Sequence, residues 1–127
     1  MKTIINTDKA PAPIGPYSQA VKLGNTLYIS GQIAIDPKTG DLVNDSIESE
    51  TRQVMMNLGA ILHAAGLDFS HVVKCSIFVS DMNNFGKVNG IYGEFFTENP
   101  PARETVEVSA LPKYVNVEIS CIASAEK

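Results

Sequence analysis

Arg103 follows Pro100-Pro101-Ala102 and opens an alternating stretch, Arg103-Glu104-Thr105-Val106-Glu107-Val108. A guanidinium holds a planar carboxylate through two parallel hydrogen bonds, a geometry that a lysine ammonium cannot reproduce. A glutamate beside it, with a raised pKa, can position or deprotonate a water. A second alternating stretch, Tyr114-Val115-Asn116-Val117-Glu118-Ile119-Ser120-Cys121, supplies such a group in Glu118. The spacing predicts that the two stretches form an antiparallel hairpin closed around Leu111 to Tyr114. Arg103, Thr105, Glu107 and Ser109 then share one face, and Glu118 comes within a few positions of Thr105 and Glu107. Alternation leaves two readings of that face. It is either a solvated surface with an Arg–Glu pair worth about 0–1 kcal/mol, or a carboxylate clamp with a glutamate that handles water.

Other chemistries lack their residues. There is no phosphate loop, dinucleotide-binding glycine turn, nucleophile elbow or zinc-type spacing. His63 reads as a helix-surface residue. Cys75 and Cys121 sit singly in apolar runs and read as buried free thiols packing as small hydrophobes. A net charge of −4, with no Lys/Arg track, argues against nucleic acid as a partner. Neither a signal-peptide core nor a membrane-length apolar segment occurs, so a cytoplasmic location is expected.

The elements that must position these residues follow from periodicity. At 127 residues the chain is expected to form one domain, residues 1–127. Pro11, Pro13, Gly15 and Pro16 make the N-terminal stretch an extended, turning arm. Leu27, Ile29, Gly31, Ile33 and Ile35 alternate with Tyr28, Ser30, Gln32 and Ala34 as a strand. Gly31 in its middle marks a bulge or a place where another group approaches the backbone. Ile47, Val54, Met55, Leu58, Ile61, Leu62 and Ala65 form one helical stripe, which either an Asp45/Glu48 capping box or Ser46 starts and Gly66 ends. Val73, Cys75, Ile77 and Val79 make the next strand. Phe85, Val88, Tyr92, Phe95 and Phe96 give a second helix its packing face. Two helices on one mixed sheet is an α+β two-layer sandwich.

The segments "APAPIGPYSQAV", "LYISGQIAIDPKTG", "AAGLDFSHVVKCSIFVSDMNNFGKVNGIYGEFF", "PPARETVEVSALP" and "VNVEIS" together resemble, in order and spacing, the Rid family (RidA/YjgF) of reactive-intermediate deaminases. The resemblance covers nearly the whole chain. It implies a chorismate-mutase-like fold, a homotrimer with clefts between subunits, and no metal or organic cofactor. It further implies hydrolysis of 2-imino acids, tautomers of enamines such as 2-aminoacrylate, to 2-keto acids and ammonia. By the same resemblance Arg103 matches the carboxylate-binding arginine and Glu118 the glutamate that handles the attacking water. Tyr17, Ser30, Gly31 and Asn89 match cleft residues. Thr105 stands where many deaminating members carry cysteine, and Glu104 where they carry serine; the segment before Arg103 is shorter than in some relatives. A second reading is a non-catalytic module that binds small 2-keto acids in the same clefts and regulates a partner.

Overall fold

A computed structural model describes residues 1–126. The long helix α1, Ile47–Ala64, forms where the apolar stripe lies, and Val54, Met55, Leu58, Ile61 and Leu62 are all buried. Of the two expected starts the structure has the second: Ser46 caps it, its Oγ accepting the Ser49 N–H at 3.0 Å. Gly66 follows its end at φ +76°, a left-handed conformation that glycine adopts without a Cβ penalty. The second helix α2 runs Phe85–Phe95, and Arg52–Glu94 at 2.9 Å ties the two helices together.

Six strands form one mixed sheet: β1 Lys2–Ile5, β2 Ala20–Leu23, β3 Thr26–Gln32, β4 Val72–Val79, β5 Ala102–Glu107 and β6 Val117–Ser124. Their order is β1-β2-β3-β6-β4-β5, with β4 and β5 parallel and every other pair antiparallel. The helices cover one face of this α+β fold. Leu27, Ile29, Cys75, Ile77, Val79, Val117, Ile119 and Cys121 point into the layer between sheet and helices. Tyr28, Ser76, Phe78, Val106, Glu118 and Ile122 alternate to the opposite face, over which no helix or strand of the described residues packs.

The expected hairpin between the last two strands does not form. β4 lies between β5 and β6: Arg103 pairs with Cys75, while Glu118 pairs with Phe78. The crossover through α2 delivers β5 parallel to β4 at the sheet edge. β6 has a wholly apolar inner face, and it inserts between β3 and β4, where both its edges find backbone partners. Nine residues, 108–116, separate these strands, too many to impose a hairpin register. Three smaller expectations also change. The arm is bracketed by two strands, β1 and β2, that its prolines concealed. A bulge at Ser30–Gly31 ends the alternation of β3, so Ile33 and Ile35 form a second cluster with Val115. A second irregularity after Val72 buries Val72 and exposes Val73.

Glu50, on the buried side of α1, is fully enclosed. Its carboxylate accepts the Asn116 N–H at 2.7 Å, the Asn116 side-chain amide at 2.8 Å and the Val117 N–H at 3.1 Å. These bonds replace the hydration that burial removed and hold the entry to β6. Removing the carboxylate leaves buried donors unpaired, so Glu50→Ala should cost about 3 kcal/mol in urea unfolding, while Glu48→Ala on the exposed side of the same turn changes little.

Candidate active site

Arg103 emerges from β5 on the helix-covered side. Phe85, Asn89 and Tyr92, spaced four and three apart on α2, form one stripe above it. Asn89 Oδ1 accepts from the guanidinium at 2.6 Å, and the guanidinium carbon lies 5.0 Å from the Tyr92 ring centre and 5.6 Å from that of Phe85. Two aromatic faces and one amide therefore orient a cation. Among the described residues no carboxylate pairs with it. Glu104 faces the other side of the sheet, bonded to Ser76 and to Lys74 at 2.9 Å, and Glu107 accepts the Met82 N–H at 2.7 Å. Thr105, on the Arg103 side, holds a buried hydroxyl with no partner, as does Tyr92. The surface ion-pair reading of Arg103 thus fails: its charge is oriented and left available.

Glu118 belongs to a different place. It sits on the uncovered face in an open cleft of about 290 Å³ lined by Ile14, Tyr17, Ser30, Gly31 and Pro112. The bulge carries the Gly31 backbone up to the Glu118 carboxyl: a Cβ on Gly31 would lie 2.7 Å from Oε2 and 2.8 Å from Cδ. Half-buried and, among the described residues, without a hydrogen-bond partner, the Glu118 carboxyl has its pKa raised by desolvation. The arm that supplies Tyr17 is pinned by Gln19, whose buried amide accepts from Thr7 N–H at 2.8 Å and donates to Thr7, Ala10 and Pro11 carbonyls. Ser30 donates its hydroxyl to the Ser18 carbonyl at 2.6 Å, so it fastens the arm and lends the cleft its backbone. Pro112 is held by a strained turn, with Lys113 at φ +56° and Tyr114 at φ +54°.

The seven residues singled out in the sequence thus fall into two groups. Tyr17, Ser30, Gly31 and Glu118 line one cleft. Arg103, Asn89 and Thr105 lie together on the other side of the sheet. Within one chain the arginine and the glutamate do not meet. Phe85 and Tyr92 were visible only as a packing face of α2, although their 4,3 spacing with Asn89 marks one stripe. Nothing local in the sequence signals Pro112. Because the obstructing atoms in a Gly31→Ala variant end a flexible side chain, that variant should fold with a stability loss of about 1 kcal/mol or less. Glu118 should swing toward solvent, and its carboxyl should titrate lower than in the unaltered protein, as followed by carbon-13 NMR.

The chain matches the family described as endoribonuclease L-PSP over residues 7–125. It is 55% identical over 126 residues to a RutC family protein of Pyrococcus horikoshii, covering 99% of this chain and 100% of that protein. It is 50% identical over 123 residues to the 2-iminobutanoate/2-iminopropanoate deaminase of Mus musculus, covering 97% and 91%. The crystal structure of a protein of the conserved Rid family from Yersinia pestis superposes with a TM-score of 0.93 at 51% identity, covering 98% of this chain and 99% of that one. These matches run almost end to end in both sequence and fold, and the chain belongs to the endoribonuclease L-PSP family, the RidA/YjgF group.

Proposed function

We propose that this protein hydrolyses 2-imino acids, formed from enamines such as 2-aminoacrylate, to 2-keto acids and ammonia without a cofactor. The observation that carries this reading is a pair of ionisable groups left without ionic partners: Arg103 in its aromatic and amide cradle, and Glu118 against Gly31. Arg103 takes the substrate carboxylate, with Asn89 holding the guanidinium and the Thr105 hydroxyl free to donate or accept. Glu118 accepts a proton from water as the water oxygen bonds to the imine carbon and the C=N π bond opens to give a carbinolamine. Glu118 returns that proton to the nitrogen, and the C–N bond breaks as the hydroxyl oxygen loses its proton and forms the keto C=O, releasing ammonia. Tyr17 and the Ser30–Gly31 backbone wall the cleft. The activity named for the mouse relative supports this assignment. An RNA-cleaving role finds no support in a net charge of −4 without a basic track.

The two groups lie on opposite faces of one chain, so the site requires a neighbouring copy. A homotrimer, with Arg103 of one chain facing Glu118 of the next, satisfies that need. The uncovered sheet face, with Tyr28 49% and Val106 39% exposed, favours such an assembly. We place the protein in the cytoplasm, as a single Rid-type domain.

Imino acid generated by an amino-acid oxidase gives the assay. Arg103→Ala should lower kcat/KM roughly a hundredfold through lost carboxylate binding. Glu118→Ala should lower kcat by about 10²–10⁴-fold. Mixing the two inactive variants after unfolding and refolding together should restore about a quarter of the wild-type activity, because that fraction of interfaces unites an intact arginine with an intact glutamate. No recovery on mixing would overturn a site shared between copies. Saturable 2-keto acid binding without turnover would favour the sensing module instead.

The raised pKa of Glu118 has a pH signature. The base must be ionised, so the acid limb of kcat/KM should lie above the ordinary carboxylate range. Folding favours the protonated form, so this group's contribution to stability is complete below its unfolded pKa and is lost as pH rises through its folded pKa. Glu118→Gln should therefore raise Tm near pH 7, and the gain should vanish near pH 4.

A further inference from the structure

Cys75 and Cys121 are both unbridged and buried, at 1% and 3% exposure. They stand directly opposite each other on the antiparallel strands β4 and β6. The kind of opposition follows from the hydrogen bonds. Ser80 N–H donates to the Asn116 carbonyl at 3.1 Å, so Ser80/Asn116, one step beyond Val79/Val117, is a hydrogen-bonded pair. Pair types alternate along an antiparallel ladder. Phe78/Glu118 and Ser76/Ser120 are then hydrogen-bonded, whereas Val79/Val117, Ile77/Ile119 and Cys75/Cys121 are not. The Val79 carbonyl agrees, since it points away from β6 and accepts the Val108 N–H at 2.9 Å. A non-hydrogen-bonded pair brings its Cα atoms to about 4.5 Å with side chains at their closest, inside the range of about 4.4–6.8 Å that a disulfide spans.

The two thiols are not equivalent. Cys75 is the direct neighbour of Arg103 across β4 and β5. The facing Cys121 thiol leads the effects that lower its pKa, with smaller help from Tyr92 and the Arg103 charge, against the cost of burial. Cys121, facing Cys75 and deeply buried, is pushed up. Thiolate character therefore concentrates on Cys75, with a second thiol waiting across the ladder.

We propose that Cys75 and Cys121 form a peroxide-reactive thiol pair that closes into a cross-strand disulfide beneath Arg103. The Cys75 thiolate attacks one oxygen of a hydroperoxide: an S–O bond forms, the O–O bond breaks, and the other oxygen leaves as hydroxide or alkoxide. The Cys121 sulfur, giving up its proton, then attacks the Cys75 sulfenic acid. An S–S bond forms, the S–O bond breaks and water leaves. Two thiols lose two electrons to one peroxide. The bridge draws the Cys75 sulfur toward Cys121 and away from Tyr92 and Arg103, so oxidation disturbs the cradle. That consequence rests on Arg103 binding a carboxylate; bridge formation does not.

The test treats the reduced full-length protein with hydrogen peroxide, then alkylates it under denaturing, non-reducing conditions. A mass loss of two hydrogens per chain, a single Cys75–Cys121 linked peptide, and reversal by dithiothreitol are expected. In Cys121→Ser the reaction should stop at a Cys75 sulfenic acid that dimedone traps, and Cys75→Ser should not react. Both thiols remaining free to alkylate, or links only between chains, would overturn the pair. Titration with 2-oxobutanoate reads the consequence: oxidation should weaken binding about tenfold or more, and Cys75→Ser should bind equally with or without peroxide. A bridge that forms without changing affinity would overturn the coupling to Arg103. If the reduced protein does not bind the keto acid at all, the deaminase reading fails while the mass measurement still decides the thiol pair.

Discussion

A β-strand sends successive side chains to opposite faces, and in this fold helices cover only one of them. From that constraint follows the division of labour between the two faces. Arg103 and Thr105 share the covered side with Cys75 and Cys121, and α2 lays an amide and two rings over the guanidinium. Glu118, offset on the neighbouring strand set, emerges on the uncovered side beside the N-terminal arm. Neither group can be moved to the other's face without shifting a strand by one residue, which would turn an apolar inner row out to water.

Around the glutamate the protein accepts a local cost. Its carboxyl is half-buried and has no hydrogen-bond partner among the described residues, and only a glycine at position 31 leaves room for it. The surroundings are correspondingly rigid. Gln19 fixes the arm with four hydrogen bonds, Ser30 ties that arm to the bulge, and Glu50 clamps Asn116 and Val117 immediately ahead of Glu118. A buried carboxylate, fully satisfied by N–H donors, thus holds the strand that presents an unsatisfied one. The two glutamates differ in environment rather than in chemistry, and that difference separates a structural role from a reactive one.

Much of this was legible beforehand. Helix α1 was readable from its apolar stripe to the Gly66 stop, because a stripe spaced three and four apart has one low-energy solution, while its start was left between an Asp45/Glu48 box and Ser46. Gly31 was readable as a close approach, because a glycine inside an alternating strand sacrifices packing for a reason. The hairpin of β5 and β6 was misread, since alternation reports which residues share a face but not which strand lies alongside. Glu50 sits on the apolar stripe of α1, three residues after Ile47 and four before Val54. A carboxylate there signals a buried anion, but its donors, Asn116 and Val117, lie sixty-six and sixty-seven residues away.

Local order thus determined both helices, the four strands that carry the two site groups, the face of most of their side chains, and the family to which the chain belongs. Those properties depend on neighbours a few residues apart. Tertiary structure alone decided that β6 separates β4 from β5, that Arg103 meets α2 rather than Glu107, and that Cys75 faces Cys121 as a non-hydrogen-bonded pair. Strand order and register are set by which long-range pairing buries the most apolar surface while leaving no backbone group unpaired. No stretch of a dozen residues contains that comparison.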